Sequence, residues 1–81
     1  MRMSVDQKRT RRDARYFGKL ALRDIERAIS DQLQVAFYRE MDGFEHYAQQ
    51  WQRMSDRAVE GAASYARRAV KFARLSQETP R

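Results

Sequence analysis

The chain has no cysteine, so neither a disulfide nor a thiolate-held metal braces its fold, and a reducing compartment suits it. Its one proline is Pro80, and its glycines are Gly18, Gly43 and Gly61. With so few breakers, little divides the chain into short elements. No stretch approaches the roughly 18 apolar residues of a membrane-spanning helix. The first residues lack the apolar centre of a secretory signal, and Asp6 and Asp13 do not suit an organelle transit peptide. A cytoplasmic protein without membrane contact is expected. There is one histidine, His46, with Asp42 four residues before it. That pair falls short of a metal site, and the chain shows no nucleophile–base pair or glycine-rich phosphate loop. No enzyme activity, cofactor or metal is expected.

What is present favours helix. Ala, Arg, Gln, Glu and Leu are abundant, with no internal repeat or low-complexity tract. A chain of 81 residues makes one small all-α domain, whose core needs well-packed helices or oligomerisation to supplement it. The polarity is high, with a mean hydropathy of −0.93.

The second half carries the clearest pattern. Phe44, Trp51, Ala58, Tyr65 and Phe72 recur at seven-residue intervals, with Tyr47, Met54 and Leu75 three positions after members of that set. A pattern in phase from Phe44 to Leu75 predicts one helix of roughly 48 Å at about 1.5 Å per residue. Gly61 and Arg68 interrupt it, and Ser55, stapled by Met54 and Val59, is an alternative start for a separate last helix. Ala58, Ala62, Ala66, Ala69 and Ala73 either admit a close neighbour or merely reflect alanine's helix preference.

In the first half Phe17, Ala21, Ile25, Ile29, Leu33, Phe37 and Met41 recur every four residues. Each such step overshoots a turn by about 40°, so the stripe winds around a straight helix. It implies a break or burial on several sides. Ser30-Asp31 is the natural break, with Asp31 and Gln34 spaced as a capping box and residues 33–38 as a short buried helix. Asp42-Gly43 is the best turn, Gly43 taking the left-handed position after a helix and Phe44 making the following apolar contact. A second capping box fits Ser4-Val5-Asp6-Gln7. These features predict an antiparallel helical hairpin or a three-helix bundle with one long C-terminal helix. Residues 13–76 form the domain, 1–12 a polar basic arm and 77–81 a tail.

Net charge is +6, from 17 basic and 11 acidic residues. Residues 1–27 hold nine basic and four acidic side chains, 28–64 three and six, and 65–81 five and one. Arg11, Arg15, Lys19, Arg23 and Arg27 form a basic stripe two positions out of step with the apolar one, and Arg67, Arg68, Lys71 and Arg74 form a second cluster. A turn at Gly43 would bring the two basic ends together, with Glu40, Asp42 and Glu45 at the opposite pole. Arginine outnumbers lysine 14 to 3 and grips carboxylates or phosphates bidentately. Such a face serves an acidic protein or nucleoprotein, serves nucleic acid, or is simply solvated. Most aromatic residues fall on the apolar seams and pack there, whereas Tyr16 and Tyr38 lie off them and are candidate contacts.

Three readings follow. The first is a non-enzymatic interaction protein docking on an acidic protein or nucleoprotein, as an inhibitor or adaptor. That role is familiar among small helical proteins of phages and plasmids, an analogy of size alone. The second is direct DNA or RNA binding through the phosphate backbone. The third is a structural helical oligomer. Base-reading motifs are missing, which favours the first. A homodimer is expected, because two helices leave apolar flanks uncovered.

Overall fold

The computed structural model describes residues 5–77 of the chain. Helix α1 spans Val5–Arg39 and helix α2 spans Glu45–Gln77, packed antiparallel as a rod of 64 × 13 × 11 Å. This is the hairpin, and the three-helix bundle is excluded among the described residues. Helix α2 is unbroken at Ser55 and Gly61, as its steady phase predicts. Helix α1 passes through Ser30-Asp31 without interruption, because Asp31 faces inward instead of capping a new helix. It already runs through residues 5–12, which are largely exposed. The capping box at Ser4 and nearly all of the tail lie outside the described residues.

Both helices meet along positions alternating three and four residues apart. In α1 these are Ala14, Phe17, Ala21, Asp24, Ala28, Asp31, Val35 and Tyr38; in α2 they are Ala48, Trp51, Ser55, Ala58, Ala62, Tyr65, Ala69 and Phe72. All are buried or half-buried. A repeat of 3.5 residues keeps one seam against the neighbour when two helices wind gently around each other. Contacts across the pair fix the register. Phe17 stacks on Phe72 and Tyr65, Ser55 bonds to Ala28, and a Cβ at Gly61 would touch Asp24. This register sets large against small: Ala14 level with Phe72, Phe17 with Ala69, Ala21 with Tyr65, Val35 with Trp51, and Tyr38 with Ala48. At mid-seam Ala28 meets Ala58. Ala58, Ala62 and Ala69 therefore face the neighbouring helix, whereas Ala66 is exposed.

Only the first members of the four-residue stripe of α1, Phe17 and Ala21, lie on the seam. Ile25, Ile29, Leu33 and Phe37 are exposed, Leu33 to 67%, whereas Val35, outside the stripe, is exposed to only 2%. A stripe that advances by fours drifts off any one neighbour, and a single partner helix cannot follow it around. Tyr47, Met54 and Leu75 are likewise half exposed, on the flank of the α2 seam.

Arg39 ends α1, and Met41 N–H donates to the Tyr38 carbonyl at 3.2 Å. Gly43 takes φ +87°, a conformation that costs an L side chain and suits glycine. It lies four residues beyond the end of α1, however, and so is not the helix cap itself. The Phe44 ring stacks on Tyr38 at 6.1 Å, and the Phe44 carbonyl accepts from Ala48 N–H at 3.2 Å to begin α2.

One seam position is costly. Asp31 is buried and its Oδ2 has no hydrogen-bond partner among the described residues. The adjacent polar atoms are already engaged: Ser55 Oγ accepts from Gln32 Nε2 at 2.9 Å and donates to the Ala28 carbonyl at 3.3 Å. An unsatisfied buried carboxylate oxygen costs its desolvation. Asp31→Leu is therefore expected to raise the unfolding free energy by about 1–3 kcal/mol. Urea denaturation followed by circular dichroism measures it, and a loss of stability would mean that the carboxylate has a favourable partner.

Candidate interaction surface

Antiparallel pairing decides where the charge lies. The start of α1 and the end of α2 share the open end of the rod, and both carry arginine. Arg11, Arg15 and Lys19 are exposed there on α1, as are Arg67, Arg68, Lys71 and Arg74 on α2. One ring contact and one shared groove join the two helices at this end. The Arg68 guanidinium lies over the Phe17 ring at 5.6 Å, a cation–π pair joining α2 to α1. Arg11 and Arg15 border a shallow groove floored by Ala14, Ala69, Val70 and Ala73. The two basic ends therefore do approach each other.

Arg23 and Arg27 are also exposed but stand at mid-rod and just beyond it toward the turn. The basic stripe, stepping by fours like the apolar one, winds as well. Arg11 flanks the seam on one side, Lys19 faces outward and Arg27 flanks the seam on the other. At the closed end Glu40, Asp42 and Glu45 are exposed around the turn, with Arg39 among them. The rod is thus electrically polar, basic where it is open and acidic where it turns.

The two aromatic candidates separate. Tyr16 is 57% exposed beside the basic end, its ring edge-on to Phe17 at 5.3 Å. Tyr38 is half-buried on the interhelix seam, packed on Phe44 and Tyr47 at 6.1 and 5.4 Å. The expectation that Tyr38 lies off the seam is therefore corrected: it closes the turn end of the core. Its three-residue step from Val35 continues the 3.5 repeat, a signal that the four-residue stripe concealed.

Phe17 was read as one member of an apolar stripe, yet it anchors the basic end through Tyr65, Phe72 and Arg68. His46 is exposed against the Tyr47 ring at 4.0 Å. Among the described residues no group of three His, Asp or Glu side chains could hold a metal ion, and no helix is long and apolar enough to cross a membrane. No protein family, no curated protein and no solved structure matches this chain.

Proposed function

We propose that the protein is a non-enzymatic interaction module whose basic open end docks on an acidic protein surface, alone or within a nucleoprotein, and so inhibits or adapts that partner. The observation that carries this reading is the convergence of two exposed arginine-rich clusters, from opposite ends of the chain, on one end of a stiff rod. Charge gathered on one pole steers encounter with an oppositely charged surface and fixes orientation. Arginine supplies planar, bidentate donors for carboxylates. The alanine-floored groove between Arg15 and Ala69 adds an apolar strip within that basic rim, which suits an acidic helix or peptide better than a bare phosphate backbone.

The test is capture of partners by the tagged full chain from its native host, with and without nuclease. It is repeated with Arg15→Glu/Lys71→Glu, which takes one exposed charge from each helix. A protein partner should survive nuclease, and the double reversal should weaken the purified complex by about tenfold or more. Helicity should be unchanged, since neither residue is on the seam. A complex that vanishes with nuclease, and whose log affinity falls against log salt with a slope of about −0.9 per contacted phosphate, would replace this reading with nucleic-acid binding. Unchanged binding to every partner would leave the arginines as a solvated face.

A further inference from the structure

The hairpin hides its small residues and shows its large ones. Leu22, Ile25, Ile29, Val59 and Val70 are 45–60% exposed. Each stands one position after a seam residue: Ala21, Asp24 and Ala28 on α1, Ala58 and Ala69 on α2. Both helices are right-handed and run antiparallel, so one step past the seam turns each toward the same side of the pair. The five side chains therefore form one apolar face shared by both helices, with exposed Ala63 between Val59 and Val70.

That face occupies the middle of the rod. Leu22 is the central residue of α1 and Gly61 that of α2. A face at the midpoint can meet its own copy about a two-fold axis, and the axis reverses one rod against the other. Reversal also satisfies the charges. Residues 28–64, the turn half, carry three basic and six acidic side chains, whereas the described residues of the open half, 5–27 and 65–77, together carry twelve basic and four acidic. A reversed copy sets each basic half beside an acidic one, while a parallel copy would set basic against basic.

We propose that a second copy of this chain packs, reversed, on the mid-rod face of Leu22, Ile25, Ile29, Val59 and Val70, giving a four-helix homodimer. The docking function above is a separate reading on which this does not depend, and the two faces meet at Val70, which also lines the groove beside Arg11 and Arg15. Arg12 and Arg74, exposed on the outer sides of their helices near the open end, stay uncovered, so the dimer presents a basic end at each extremity.

Light scattering at high micromolar concentration should give twice the mass of one chain, and Ile25→Glu/Ile29→Glu should give a single chain. The natural sequence lacks cysteine, so single thiols report orientation cleanly. Ala63→Cys should form an interchain disulfide under mild oxidation. Gln77→Cys, on the same side of α2, should not: it lies about 24 Å from the middle of the rod, so its two copies stand roughly 48 Å apart. A monomeric wild-type chain, or an isoleucine variant that stays dimeric, would overturn the proposal. So would Gln77→Cys linking as readily as Ala63→Cys. A monomer whose isoleucine variant loses a nuclease-resistant protein partner would assign the face to that other protein.

Discussion

Phe17→Ala is expected to lower the unfolding free energy by about 3 kcal/mol, the low end of the range for a phenylalanine truncated in a core, because Phe17 is only half-buried. Its ring stacks on Phe72 at 5.6 Å and on Tyr65 at 6.2 Å, and it holds Arg68 above it at 5.6 Å. It thus joins three groups of the opposite helix at the open end. Its loss leaves a gap between small neighbours, Ala14 and Ala69, that cannot close it. Thermal and urea denaturation by circular dichroism measure the cost, and amide exchange should localise it to the first turns of α1 and the last of α2. Tyr16→Ala is the matched control: Tyr16 is 57% exposed, with its ring edge-on to Phe17, so its removal should change stability by under about 0.5 kcal/mol. Equal effects from the two would mean that the open end does not close around Phe17. The basic pole depends on that closure, so Phe17→Ala should also weaken partner binding although it removes no charge.

The helical class, the turn at Gly43 and the unbroken last helix were legible because each rests on a strong local signal. Four aromatic residues and Ala58 recur at seven-residue spacing from Phe44 to Phe72, and glycine marks the one place among the described residues where φ turns positive. The convergence of the basic ends follows once the chain is known to reverse. The inner face of α1 was not legible. Its seam consists of Ala14, Ala21, Ala28, Asp24 and Asp31 with only Phe17, Val35 and Tyr38 as larger members, so it carries little hydrophobic signal. Leu22, Ile25, Ile29, Leu33 and Phe37 outweigh it by side-chain size yet point outward. A reading that assigns the core to the largest apolar residues is therefore drawn to the wrong side of the helix.

The same cause displaced the second half of the α2 seam. Ala48, Ser55, Ala62 and Ala69 are small, so Tyr47, Met54 and Leu75 stood in for them. The interruptions at Gly61 and Arg68 were real but belong to the flank, where Gly61 gives room to Asp24 and Arg68 covers Phe17. Asp31 illustrates the remaining limit. As a sequence feature it resembles a cap, and only the register shows that it is enclosed. Its burial in an otherwise small-residue seam is consistent with a polar group retained to fix register at a cost in stability.

The central claim is that α1 and α2 pair along this small-residue seam, in the register that joins the basic ends. The most direct measurement is a disulfide placed across it by Asp24→Cys/Gly61→Cys. A Cβ built at Gly61 lies 3.5 Å from Asp24 Cγ, which is the place of the thiol sulfur in the substituted residue. That separation suits a bridge with little backbone movement. The change also removes a helix glycine and the carboxylate that crowds it. Mild oxidation followed by mass spectrometry should find one bridge within each chain, and the oxidised protein should be more stable than the reduced by about 3–4 kcal/mol, the loop-closure value for a segment of this length. Thiols that stay free, or bridges that form only between chains, would place Asp24 and Gly61 apart and contradict the register on which the basic end is built.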